Sequence, residues 1–172
     1  MSNNDNHHAA ASGVKAETYM KKLFQKHGIK LYRLNEEFEK DNIDPMGKKY
    51  LKKPKDYPEL LKFTRHKKDE SFYESDGYVD QDSGYIIELK NSTKHGTTEE
   101  KVMYDLEKIR DGVYNKNGHQ LIYAFTGAKC EEIGVYKLFA LKAKRENLPV
   151  KVIFGWSELE NFIIQLKGGV NE

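Results

Sequence analysis

Between Phe72 and Ser92 the chain reads FYESDGYVDQDSGYIIELKNS, two β-like runs joined by a turn that the residues themselves specify. Asp82, Ser83 and Gly84 close a tight turn over residues 81–84, with Gly84 taking the left-handed conformation that side chains resist. A hairpin of residues 72–80 against residues 85–92 follows, and with it a register. Side chains alternate along a strand, so Glu88 and Lys90 share one face while Tyr85, Ile87 and Leu89 enter the opposite layer. The turn sets Asp76 opposite the interval between Glu88 and Lys90. Two carboxylates and an amine therefore crowd one patch of a sheet.

Such a patch supports two chemistries. Two acids can hold a hard divalent cation such as Mg²⁺ through oxygen, leaving coordination positions for water and a phosphate oxygen. Lys90 can then orient the attacking water or offset charge on a phosphorane. Taken alone, however, Glu-x-Lys on a strand is more often the solvated face of an antiparallel sheet with a cross-strand ion pair.

Residues 75–90, SDGYVDQDSGYIIELK, resemble the PD-(D/E)xK nuclease superfamily, in which an acid beside a turn precedes a (D/E)xK strand. Asp76, Glu88 and Lys90 occupy the three motif positions, and Ser75 stands where the motif name has proline. The resemblance implies that these three are catalytic, that Asp76, Glu88 and the Leu89 carbonyl ligate the metal, and that the cofactor is Mg²⁺ with Mn²⁺ as a substitute. Residues 95–101, HGTTEEK, look like the segment after the catalytic strand in several restriction-type members. Lys94, His95, Thr97 and Lys101 are accordingly candidates for contact with the scissile or a neighbouring phosphate, the alternative being polar residues around a helix cap. Residues 12–34, SGVKAETYMKKLFQKHGIKLYRL, resemble the first helix and strand of archaeal-type Holliday junction resolvases, where a helix glutamate reaches the active site. Glu17 is the matching residue, at the edge of an apolar stripe of Ala16, Met20, Leu23, Phe24 and His27. An ordinary boundary glutamate on an amphipathic helix is the alternative.

Charge is distributed locally: 33% of residues are charged but the net charge is only +2. From Lys48 to Lys68 eight lysines and Arg65 face only Asp56 and Glu59, with Tyr50, Tyr57 and Phe63 interleaved. A basic segment of this kind suits a phosphate backbone, with Lys48, Lys49, Lys52, Lys53, Lys67 and Lys68 as the contacts. It can also be a solvated insertion that only aids solubility. The lone Cys130 excludes an internal disulfide framework and agrees with a reducing interior. No apolar stretch is long enough to span a bilayer and the N-terminus lacks a signal-peptide core, so an intracellular protein, cytoplasmic or nucleoid-associated, without membrane partners is expected.

Residues 1–11 read as a polar tail, and residues 12–172 as one domain with an insertion at about 35–71 that holds three of the four prolines. The expected order is a helix ending at Gly28, a strand over 29–34, a short helix near 57–64 within the insertion, and the hairpin. A helix capped by Thr97 or Thr98 comes next, with Val102, Leu106, Ile109 and Val113 on one face. LIYAF, within residues 119–127, reads as a strand covered on both sides. A helix over 131–146, a strand over 150–156 and a helix capped by Ser157 complete the chain. This predicts an α/β fold with a restriction-endonuclease-like αβββαβ core, a mixed central sheet flanked by helices, and a C-terminal αβα extension.

The function expected is a Mg²⁺-dependent DNA endonuclease, restriction-like or junction-resolvase-like, and homodimeric because two antiparallel strands must be cut. A non-catalytic DNA-binding module on the same fold and an RNA nuclease are the alternatives.

Overall fold

The computed structural model describes residues 13–32, 60–66, 69–91, 98–115 and 118–169. In chain order the elements are α1 (Gly13–Lys26), β1 (Leu60–His66), β2 (Asp69–Glu74), β3 (Gly77–Val79), β4 (Tyr85–Asn91), α2 (Thr98–Arg110), β5 (Gln120–Thr126), α3 (Gly134–Arg145), β6 (Val150–Phe154) and α4 (Trp156–Gly168). A 3₁₀ turn at Cys130–Glu132 precedes α3. The main sheet is mixed and open, in the order β3-β4-β5-β6, with β3 antiparallel to β4 and β4, β5 and β6 mutually parallel. Parallel neighbours need long crossovers, which α2 and α3 provide.

Alternation along the central strands sorts the core into two layers. Tyr85, Ile87, Leu89, Ile122, Ala124 and Ile153 face α1 and α4, meeting Ala16, Met20, Leu23 and Phe24 of the first helix and Leu159, Phe162, Ile163 and Leu166 of the last. Ile86, Leu121, Tyr123 and Phe125 face α2 and α3, meeting Val102, Leu106, Ile109, Tyr136 and Phe139. Both faces of β5 are covered, which is why its sequence is an unbroken apolar run.

Several expectations need correction. Over its described part, residues 60–64, the helix expected near 57–64 is replaced by a strand: β1 occupies Leu60–His66 and pairs antiparallel with β2 as a separate two-stranded sheet. So short a helix is marginal by itself, whereas pairing with β2 gives the backbone groups on the inner edge of β1 their partners. The run over 72–80 is not one strand but breaks at Ser75 and Asp76, with β2 in one sheet and β3 in the other. The strand expected over 29–34 is represented, within the described residues, by one antiparallel bridge in which Tyr32 and Tyr78 exchange backbone bonds at 2.8 and 2.9 Å. The last helix, α4, starts two residues early: Gly155, at φ 86°, is its N-cap instead of Ser157, and Glu158 Oε2 accepts the Phe154 N–H at 2.8 Å. The helix expected over 131–146 is shorter at its start, because Ile133 is extended and separates the 3₁₀ turn from α3. Among the described residues no helix is long and apolar enough to cross a membrane.

Candidate active site

The turn before β4 is built as its residues dictate. The Gly84 N–H donates to the Gln81 carbonyl at 2.7 Å, and Asp82 and Gly84 both take positive φ. A Cβ at Gly84 would lie 2.6 Å from both the Tyr78 hydroxyl and His119 Nδ1, so glycine is required by space as well as conformation. The register that follows sets Gly77 opposite Ile87. Gly77 also has a steric reason, since a Cβ there would stand 2.7 Å from Leu31 Cδ1.

Asp76 therefore sits just before the first residue of β3, beside Glu88. Its Oδ2 accepts the Leu89 N–H at 2.7 Å, so a side chain continues the ladder where the antiparallel partner strand has ended. In an extended chain the N–H and C=O of one residue leave on the same side, which aims the Leu89 carbonyl towards the Asp76 edge.

Glu88 and Lys90 project onto the α2 face. Glu88 is fully buried, and its Oε2 lies 3.7 Å from Lys90 Nζ. A nearer partner is Asp105 of α2, whose Oδ2 stands 3.1 Å from Lys90 Nζ. Asp105 is itself held by Lys108 Nζ at 2.6 Å and by the Tyr123 hydroxyl, donating at 2.6 Å. The Lys90 ammonium also lies 5.8 Å from the Tyr123 ring centroid. Asp76, Glu88 and Asp105 thus gather with Lys90 and Lys108, three acids against two ammoniums.

These contacts fix protonation. Burial opposes the charge on Lys90, but the carboxylates of Glu88, Asp105 and Asp76 together outweigh it and hold its pKa above the usual lysine value. Burial likewise opposes charge on Asp105, yet Lys90, Lys108 and the Tyr123 hydroxyl bring its carboxyl below the usual range. Burial, then Asp105, pushes the Tyr123 phenol well up, so it stays a hydrogen-bond donor.

Of the residues singled out in sequence, the fold brings Asp76, Glu88, Leu89 and Lys90 together. Glu17 is half-buried on α1, whose apolar stripe packs on the face of the sheet opposite Glu88 and Lys90. Lys101 is exposed on α2, one turn before Asp105. Lys94, His95, Thr97 and the insertion lysines Lys48, Lys49, Lys52, Lys53, Lys67 and Lys68 lie outside the described residues. Sequence reasoning missed Asp105, Lys108 and Tyr123. A signal existed: Asp105 interrupts the apolar stripe Val102, Leu106, Ile109, and an acid inside such a stripe must be buried with a partner.

The donors beside Lys90 are hard oxygens, two carboxylates and a backbone carbonyl, which match the ligand chemistry of Mg²⁺ when waters and phosphate complete the shell. Among the described residues no group of three or more His, Cys, Asp or Glu forms a metal-holding cluster. A pocket of about 410 Å³, lined by Gln81, Asp82, Tyr85, Gln120, Lys151 and Phe162 among others, lies at the opposite end of β4 and β5 and on the α4 side. It takes no part in this site. Comparison with protein families, characterised proteins and solved structures gave no match.

Proposed function

We propose that this protein is a metal-dependent phosphodiesterase that hydrolyses DNA, with Asp76, Glu88 and Lys90 as its catalytic residues. One observation carries the reading: just before β3 the Asp76 carboxylate is tied to the Leu89 N–H, next to Glu88 and to a lysine ringed by acids. Asp76, Glu88 and the Leu89 carbonyl would hold Mg²⁺, or Mn²⁺ in its place, and the ion supplies a Lewis acid and an acidified water. Lys90, kept charged by its neighbours, offsets charge developing on the phosphate and positions the water; it is a poor acceptor of a proton. Its side chain is one-fifth exposed, whereas Glu88 lies behind it, so substrate reaches the lysine first. The basic stretch from Lys48 to Lys68, with Lys94, His95, Thr97 and Lys101, supplies contacts to the phosphate backbone. Two antiparallel strands to be cut favour a homodimer. On the resemblance of residues 75–90 to the PD-(D/E)xK motif, the substrate is duplex or branched DNA.

The test is a cleavage panel with Mg²⁺ over linear, single-stranded, flapped and four-way-junction DNA and a matched RNA duplex, run with wild type, Glu88→Ala and Lys90→Ala. DNA cleavage by wild type alone supports the reading. Cleavage by Glu88→Ala at the wild-type rate places the chemistry elsewhere, and preferential cutting of RNA changes the substrate.

The complete burial of Glu88 favours a second reading, a DNA-binding module without turnover whose charges serve as a polar core. Titration calorimetry with Mg²⁺ on wild type and Glu88→Ala separates the two, since only the enzyme has a metal affinity that Glu88→Ala abolishes.

A further inference from the structure

The motif explains why Glu88 and Lys90 share a face, but not what holds the lysine. Among the described residues its closest acid belongs to a different element: Asp105 Oδ2 at 3.1 Å, against Glu88 Oε2 at 3.7 Å. Asp105 cannot turn away, because one oxygen is taken by Lys108 and the other receives the Tyr123 hydroxyl, both at 2.6 Å. Its helix is fixed in turn by Val102, Leu106 and Ile109, all packed on the sheet. A flexible four-carbon amine beside a lone glutamate collapses onto it or swings into solvent, and either move spoils the alignment of a reacting phosphate.

We infer that Asp105 is a positioning residue of the site: it reaches from α2 to hold the Lys90 ammonium beside Glu88 without contact between lysine and glutamate closer than 3.7 Å. The inference rests on the phosphodiesterase reading for its catalytic meaning, and on the geometry alone for the coupling. Lys108 then acts on Lys90 through Asp105, and Tyr123 both through Asp105 and through its own ring, 5.8 Å from the ammonium. The site is assembled from a strand and the helix that follows it, so its precision depends on how α2 seats.

Asp105→Ala and Lys90→Ala, singly and combined, are compared in steady-state cleavage with Mg²⁺, with Asp105→Glu as the conservative variant. Asp105→Ala is expected to lower kcat about a hundredfold at unchanged KM, since small misplacements cost that much. Asp105→Glu should recover part of the loss, and the double variant should be no slower than Lys90→Ala. A double variant slower by the full product of the single effects, or a change confined to KM, overturns the inference. A second cycle, Lys90→Met with Asp105→Asn, is read in unfolding equilibria with chelator present and needs no catalysis. A coupling of about tenfold in the unfolding constant is expected for residues in contact, and additivity overturns the inference. Because Asp105→Asn keeps the side-chain volume, this cycle also decides the matter where Asp105→Ala does not fold. A wild type that cuts no nucleic acid sinks the phosphodiesterase reading while leaving the stability cycle to judge Asp105.

Discussion

Glu88 and Lys90 are two residues apart on one strand, yet they have different jobs to do, and their substitutions should fail differently. Removal of the Glu88 carboxylate takes away a metal ligand, so Glu88→Ala should lose both cleavage and Mg²⁺ affinity. An ammonium is no ligand, so Lys90→Ala should lose cleavage and still bind the ion; equal loss of affinity by calorimetry would contradict these roles. Acid and alkali should act on the same cluster from opposite sides. The folded pKa of Asp105 lies below its ordinary 3.8, so its stabilising contribution is present above that value and disappears as pH falls through the folded one. The folded pKa of Lys90 lies above its ordinary 10.5 and that of Tyr123 well above 10.0, so their contributions are present at lower pH and disappear as pH rises through the folded values. Urea titrations of wild type and Asp105→Asn from pH 6 down to pH 2 should therefore differ most at pH 6 and converge in acid. Curves offset by a constant amount at every pH would refute the assignment. Asp76, Glu88 and Lys90 were readable in the sequence because period two puts neighbours of one strand on one face. The burial of Asp105 was readable from its place in an apolar stripe, but its partner was not, because which helix face meets which strand residue is decided by tertiary packing.

The turn between β3 and β4 is the element that sets the site's register. Gly84 combines a φ of 86° with a Cβ position already filled by Tyr78 and His119. Gly84→Ala should therefore destabilise by about 2 kcal/mol or more, beyond the usual gain from replacing a flexible glycine. The midpoint of denaturant unfolding gives the figure; a stabilised variant would show that the turn relaxes freely. This turn, the helical stripe of α1 and the buried run of β5 were all readable, since glycine chemistry and apolar period are local properties. The break at Ser75 and Asp76 was not, because nothing in the residue pattern reveals that a side chain takes over the ladder. The strand at Leu60–His66 was misread as helical for a related reason: its pairing partner is a separate run of residues further along the chain, and short apolar runs carry no decisive period.

At the scale of the whole molecule, a mixed sheet flanked by helices follows from alternating strands and helices, and this much of the architecture was evident from element order alone. The restriction-endonuclease-like assignment goes further than the layers do, and the activity panel bears on it more than the topology. The basic segment offers an independent test. If Lys48, Lys49, Lys52 and Lys53 bind phosphates, their joint replacement by alanine should weaken binding to every duplex alike and reduce the log-log salt slope by about 0.9 for each phosphate no longer neutralised. Titrations of one duplex at several salt concentrations, with Ca²⁺ in place of Mg²⁺ to suppress cutting, measure that slope. Parallel lines for wild type and variant would mean that the segment is a solvated insertion, and the search for the DNA face would move to Lys94, His95 and Lys101.

β4 runs on past its antiparallel partner: β3 pairs only as far as Ile87, while β4 continues to Asn91. At Leu89 the Asp76 carboxylate fills the place of the missing strand. An exposed strand edge invites another chain to pair with it, and a charged group aimed at that edge discourages the approach. By taking the Leu89 N–H, Asp76 leaves another chain one donor fewer to pair with, besides being a candidate ligand. An Asp76→Ala protein, the natural choice for an inactive control, should then show more concentration-dependent aggregation in light scattering than Lys90→Ala, which makes the lysine variant the cleaner control.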